Sequence, residues 1–336
     1  MAELNEILGN ERIKEHFITA VHHKKISHAY IMEGDKGSGK KMLAEAFSKI
    51  LQCEGRETTG LVESCGKCES CIQMEYHDHP DVIWVSHEKP NVISVGEIRE
   101  QIVNTVEIMP YKIYIVDEAE KMNAAAQNAI LKTIEEPPEY AVIFLLTTNR
   151  GAFLDTILSR CILLATRPVP GTAVEKYLVE KCSVSKEEAE FAAGFSLGNI
   201  GKAEAIVSSE EFQDLKELTL SILRYIHEIE SYEIADKVKE YKKYKNRIED
   251  FFDIFLMWFR DIMLLKADNS VNAEAAKKKI IFKNEYAYLK KQVDKLDLEA
   301  IDYVIGKIHR ARVRIKSNVN FDATLELLIV EARREF

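Results

Sequence analysis

No stretch of this 336-residue chain is apolar over the roughly 20 residues that a bilayer crossing requires; the longest apolar runs, Ala141–Leu146 and Phe251–Phe259, fall far short. The opening MAELNEILGN lacks a basic, apolar leader, so a cytoplasmic location and no membrane contact are expected. An excess of positive charge is also missing. Lys and Arg number 46 against 55 Asp and Glu, a net charge of −9, which argues against a free-standing DNA-binding domain, since such domains carry a basic footprint. The short basic series Lys277–Lys279 and Arg310, Arg312 and Arg314 read as solvated helix faces. Compositional bias is absent too: 46% hydrophobic and 30% charged residues exclude a disordered or fibrous chain. The length suits two or three domains, and three are expected. Cysteine is scarce, six in all, yet four crowd between Cys53 and Cys71, which in a cytosolic chain suggests a metal before disulfides.

The remaining absence is a single hydroxyl. Gly34–Lys41 reads GDKGSGKK, a phosphate-cradling P-loop spacing in which Gly34, Gly37 and Gly39 let backbone amides converge and Lys40 supplies a positive charge. The next residue should be Ser or Thr, whose hydroxyl coordinates Mg²⁺; here it is Lys41, which can only donate and would repel the metal. Metal-assisted ATP hydrolysis is therefore not expected at this loop. Weak nucleotide binding and a glycine turn without any nucleotide role both remain open. The context favours an inherited phosphate site, because Ala29–Met32 reads as a buried strand entering the loop, and Met42–Leu51 as a helix leaving it.

Cys53, Cys65, Cys68 and Cys71 form C-x11-C-x2-C-x2-C, with two overlapping C-x2-C steps whose thiolates can converge on one ion. A closed, structural zinc site with all four cysteines as ligands is expected, with His77 and His79 in reserve. Val82–Val85 reads as a strand, Ile93–Val106 as a helix, and Ile113–Val116 as a strand ending in Asp117–Glu118. An acidic pair there has the Walker B form, the aspartate set for Mg²⁺ and the glutamate for water. A helix over Asn123–Glu135 follows, then the apolar strand Ala141–Leu146 closed by Thr147, Thr148 and Asn149, then Leu154–Leu158, Ser159–Arg160–Cys161 and a last strand, Ile162–Leu164. In an α/β sheet, ligand groups gather where such strands end. Taken alone, Arg160 reads as a surface ion-pair partner.

Several of these pieces occur together in one known family. Residues 26–170 resemble the AAA+ domain of bacterial clamp-loader subunits, the gamma/tau and delta-prime proteins of DNA polymerase III. The resemblance is carried by His28-Ala29-Tyr30, the P-loop, the cysteine quartet, DEAEKMN from Asp117, NAILKTIEEPPE from Asn128, Thr147-Thr148-Asn149 and ILSRC from Ile157. It implies a structural zinc on the four cysteines and an arginine finger, Arg160, reaching the ATP of a neighbouring subunit. It implies an α/β P-loop core over 1–167 with the zinc module at 53–71, a three-helix lid over 168–208 and an all-α collar over 209–336. Partners would be gamma/tau and delta subunits in a hetero-pentamer, and through it the sliding clamp and primed DNA.

Two departures choose among family members. Lys41 replaces the hydroxyl, and GNIGKA from Gly198 places Gly201 where the motor subunits carry a lid arginine; both losses point to the delta-prime type. Gly34, Gly37, Gly39, Lys40, Asp117, Glu118 and Asn149 would then be a degenerate nucleotide set. An active motor ATPase of the gamma/tau type is one rival expectation, and a zinc-bearing adaptor or helicase loader outside the polymerase complex is another. After the linker Arg167–Pro170 the apolar spacing predicts helices over Val174–Cys182, Lys186–Ala193, Gly201–Val207, Leu215–Ile229, Ile248–Leu265, Tyr286–Val293 and Leu325–Ala332, with Phe251, Phe252, Phe255, Trp258 and Phe259 as core.

Overall fold

A computed structural model describes residues 3–55, 63–85, 93, 96, 111–267 and 273–336. Apart from 93 and 96, the helix expected over Ile93–Val106 lies outside these residues. The described chain forms two compact units, one of residues 1–174 with 197–202 and one of 175–196 with 203–336.

The first unit is built on β1 (Ala29–Glu33), β2 (Val82–Trp84), β3 (Lys112–Val116), β4 (Ala141–Thr147) and β5 (Ile162–Ala165), all parallel in the order β2-β3-β4-β1-β5. Each central strand is an apolar run because both faces of a parallel sheet are covered. The period of two then sorts its residues. Tyr30, Met32, Ile113, Ile115, Val142, Phe144 and Leu146 share one core with Phe17 of α1 (Glu11–His22) and Phe47 of α2 (Lys40–Gln52). Ile31, Tyr114, Val116, Ile143 and Leu145 share the other with Ile130 and Ile134 of the helix Ala124–Glu135, whose N-cap is Asn123. On the first face Phe17 stacks on Phe47 at 4.0 Å, joining α1 to α2, and meets Tyr30 at 5.8 Å and Phe144 at 6.4 Å edge-on, contacts that fix the helices against the sheet. The short helix α3 (Glu69–Glu75) packs on α2, and the Ala124–Glu135 helix is α4.

Strand order decides what meets at the carboxyl edge. With β1 between β4 and β5, and β3 beyond β4, that edge collects the P-loop, Asp117, Thr147–Asn149 and Thr166. Helix α5 (Asp155–Leu158) precedes β5 and carries Arg160 just beyond its end.

The remaining elements are helical: α6 (Gly171–Cys182), α7 (Lys186–Ser196), α8 (Ile200–Ser208), α9 (Glu210–Leu223), α10 (Ser231–Glu240), α11 (Ile248–Ala267), α12 (Ala273–Lys277), α13 (Tyr286–Val293), α14 (Leu298–Lys316) and α15 (Phe321–Arg334). Of these, α10, α12 and α14 are additions to the helices that sequence periodicity predicts. Helix α11 is the centre of the second unit, with Phe251, Phe252, Phe255, Trp258 and Phe259 all buried among α9, α13 and α14. The Trp258 indole donates to Gln292 Oε1 at 2.8 Å, and Gln292 Nε2 donates to the Leu223 carbonyl at 2.7 Å, so the polar groups of this core are paired.

Asp261 on α11 is wholly buried and accepts through one carboxylate oxygen from the amides of Ile281 at 2.8 Å and Phe282 at 2.9 Å; the other oxygen accepts from Arg260 at 2.9 Å. Burial pushes this carboxyl up to about 6, against the pull of those donors. The folded chain thus holds the proton to higher pH than the ordinary value of 3.8, so the group's contribution to stability is complete below that pH and is lost as pH rises through about 6. Asp261→Ala is expected to cost about 2–6 kcal/mol in chemical denaturation, because two buried amides each lose an acceptor at about 1–3 kcal/mol. A loss below about 1 kcal/mol would mean those amides find other acceptors.

Candidate functional site

The P-loop leaves β1 at Gly34, whose amide donates to the Thr147 carbonyl at 3.0 Å. A side chain at Gly34 would strike Thr166 Oγ1, 1.8 Å from the position of its Cβ, and Gly37 and Gly39 hold left-handed φ values of 86° and 88°. Thr166 follows β5 and donates to Ser38 Oγ at 3.0 Å, clipping the loop to the last strand. Lys40 opens α2 and is 8% exposed; its ammonium donates to the carbonyls of Gly34 at 2.5 Å and Asp35 at 2.8 Å. Burial lowers the pKa of Lys40, with Asp117 and Glu120 opposing the shift.

A segment far along the chain closes over the loop. Asn199 Nδ2 donates to the Lys36 carbonyl at 2.8 Å and the Gly201 amide donates to the Gly37 carbonyl at 3.1 Å. A Cβ on Gly201 would stand 2.8 Å from Gly37 Cα and 2.9 Å from its oxygen, so only glycine permits this backbone approach. The position expected of a lid arginine is taken by a packing requirement for glycine.

The acidic residues after β3 all have protein donors. Asp117 Oδ2 lies 2.6 Å from the Lys41 ammonium, which also sits 5.7 Å from the ring centre of Trp84. Glu118, at a left-handed φ of 48°, pairs with Lys121 at 2.5 Å. Burial would raise the carboxyl of Glu120, but donation from Thr148, with Oγ1 at 2.7 Å, holds it below its ordinary value. Asn149 is exposed, and its side chain accepts from the Gly151 amide at 3.0 Å, capping the turn Arg150–Ala152. Sequence reasoning groups Asn149 with the loop; its described hydrogen bonds are to its own turn. The same reasoning missed Thr166 and Asn199, whose only sequence signals are a hydroxyl after β5 and an amide before α8.

Arg160 is half-exposed, its Nη1 donating to the Thr156 carbonyl at 3.0 Å and to Ser159 Oγ at 3.2 Å, and its Nη2 standing 3.1 Å from Glu135. The carbonyl end of α5 is a natural seat for a cation.

The four cysteines converge. Cys53 caps the end of α2, Cys68 caps the start of α3, and all four sulfurs lie within 4.8 Å of one another. A tetrahedral zinc–thiolate centre with bonds of about 2.3 Å separates its sulfurs by roughly 3.8 Å. The 4.0 Å between Cys65 and Cys71 is close to that. Amides already point at the sulfurs, Cys65 to Cys53 at 3.2 Å, Cys68 to Cys65 at 3.4 Å and Cys71 to Cys68 at 3.4 Å, as thiolate ligands require. Donation from Lys67 and Cys68 draws the half-buried Cys65 thiol down to about 6, whereas burial pushes Cys53 and Cys71 up. The cluster can hold a metal. His79 is not among its ligands: Nε2 pairs with Ser70 Oγ at 2.9 Å and Nδ1 accepts from the Asp81 amide at 3.1 Å. His77 stands 3.7 Å from Glu45. A cavity of about 520 Å³ in the second unit, walled in part by Phe191, Lys216, Phe282 and Glu285, is bordered by none of the predicted site residues.

Residues 9–170 match the family model described as DNA polymerase III, delta subunit. The delta-prime subunit of DNA polymerase III from Bacillus subtilis is 26% identical over 333 residues, which cover 98% of this chain and 97% of that one. The Pseudomonas aeruginosa delta-prime subunit is 34% identical over 151 residues, 44% of this chain and 45% of its own length. The B. subtilis tau subunit is 35% identical over 157 residues, but these are 46% of this chain and only 27% of tau. The match to tau covers less than half of this chain, whereas the match to the B. subtilis delta-prime subunit runs nearly from end to end of both. Along nearly its whole length the chain is similar to a DNA polymerase III delta-prime subunit.

Proposed function

We propose that this chain is the delta-prime-type member of a hetero-oligomeric clamp loader, assembling in the cytoplasm with gamma/tau and delta subunits to place a sliding clamp on primed DNA. The observation that carries this reading is the match along 98% of the chain to a delta-prime subunit. No described helix is long and apolar enough to cross a membrane. Within the complex the core over 1–167, the lid over 168–208 and the collar over 209–336 divide the labour, the collar serving assembly.

The chain contributes no hydrolysis of its own. Lys41 supplies an ammonium where a hydroxyl would hold Mg²⁺, and that ammonium is already on Asp117 at 2.6 Å. The residues present do not fit Mg²⁺, because Lys41 occupies both the position of the missing hydroxyl and the carboxylate of Asp117. Its chemical contribution is made in trans by Arg160, exposed at the end of α5. Zinc is the metal that the four cysteines fit, and with four protein ligands it would serve structure.

Mixing the purified chain with gamma/tau and delta subunits tests this reading. The expected result is a complex that co-elutes in size exclusion and hydrolyses ATP when DNA is added, while the chain alone does not. DNA-stimulated turnover by the isolated chain would instead make it a motor subunit, and failure to assemble would place it outside the loader.

A further inference from the structure

The P-loop of this chain is fully formed although the hydroxyl that would hold a metal has been replaced. The carbonyls of Gly34 and Asp35 are bonded to Lys40, that of Lys36 to Asn199, and that of Gly37 to Gly201, so these four acceptors of the loop are spoken for. Its donors are not. The backbone amides of Gly37, Gly39, Lys40 and Lys41 donate to no acceptor among the described residues, and the start of α2 adds its positive dipole end. Lys40, more than nine-tenths buried, spends two of its three ammonium donors on the loop carbonyls and keeps the third. A loop held through its carbonyls by protein contacts, with its amide and remaining ammonium donors uncommitted, is a receptor for an anion.

We infer that this loop binds a polyphosphate chain without a divalent metal, the Lys41 ammonium standing where the ion would be. In an ordinary site the metal bridges a carboxylate after β3 to the phosphate oxygens. Here Lys41 Nζ holds that carboxylate, Asp117, at 2.6 Å, and as a tetrahedral ammonium it retains further donors for a phosphate. The Lys41 side chain is 58% exposed, so its free donors face an approachable edge. Mg²⁺ has no vacant carboxylate to take, since Glu118 is on Lys121 and Glu120 on Thr148. The ammonium supplies one positive charge where Mg²⁺ supplies two, and it cannot activate water, so the bound polyphosphate is retained and not cleaved.

The inference concerns the isolated chain and goes beyond the proposed clamp-loader role, so loader assembly leaves it untouched. Titration calorimetry of the full chain with ATP, ADP and inorganic pyrophosphate, each in excess Mg²⁺ and in excess EDTA, tests it. Affinity is expected to agree within about twofold between the two conditions, and Lys40→Ala to weaken it by about tenfold or more, the loss of a charge-assisted hydrogen bond. Lys41→Thr, a change at an exposed side chain that leaves folding intact, is expected to make binding depend on Mg²⁺. Pyrophosphate binding as well as ADP would show that the phosphates alone are read, and binding of the nucleotides only would add the base to the recognised group; both support the inference. No binding of any of the three, or wild-type affinity rising about tenfold or more with Mg²⁺, overturns it.

Discussion

Replacing Arg160 by alanine in the assembled loader is expected to slow hydrolysis at the adjoining ATP site by about 10³-fold, the lower range for arginine fingers in other NTPases. The argument is electrostatic. Charge builds on the γ-phosphate oxygens in the transition state, and a planar guanidinium delivered from a neighbour can meet two of them at once. Arg160 is suited to delivery: it stands beyond α5, half-exposed, held by the Thr156 carbonyl and by Glu135 at 3.1 Å without being buried by either. Since one site of several is affected, the summed steady-state rate falls by less than the single-site effect. Single-turnover hydrolysis resolves it as a fraction of bound ATP that reacts about 10³-fold more slowly. Arg160→Lys is expected to recover little of the loss, because a point charge does not reproduce the two-pronged contact. Lys176→Ala, at a solvent-facing pair on α6, serves as the control. An unchanged time course in an Arg160→Ala loader that still assembles would remove the trans role.

How far the sequence alone reaches is seen in the site itself. The strands are legible because a parallel sheet covered on both faces forces short apolar runs such as AVIFLL. The P-loop and the cysteine quartet are legible because their geometry depends on short, local spacing. Lys41 can be seen as a lost hydroxyl, but its capture of Asp117 joins positions 76 apart through the strand order β3-β4-β1, which no spacing encodes. Gly201 likewise reads as a lost arginine and proves to be a backbone contact with Gly37. Among the helices, α10 buries little more than Ile234 and Val238, and α14 shows a narrow stripe of Ile301, Val304, Ile308 and Ala311 broken by Gly306 and crowded with charge. Their helicity rests on packing against α15 and α11, contacts made after folding.

The cysteine module gives the second large effect. The chain is expected to carry about one zinc ion by elemental analysis, and Cys68→Ser to lose it, because a closed four-thiolate site with one ligand gone no longer satisfies the metal. Structural zinc in small modules contributes apparent free energies of about 10–16 kcal/mol, far more than the hydrogen bonds among 53–71 could supply alone. The consequence should be local. The core around Phe17, Phe47, Tyr30 and Phe144 takes nothing from the sulfurs, so the metal-free chain keeps its sheet while α3 and the turns around Cys65 become open to proteolysis. Acid should release the metal as well, since protons compete for the thiolates. Limited proteolysis with and without a chelator reads both effects. If the isolated chain holds no zinc, and the chelator alters neither cleavage nor melting, the four sulfurs are packed thiols and the module stands on its contacts with α2 alone.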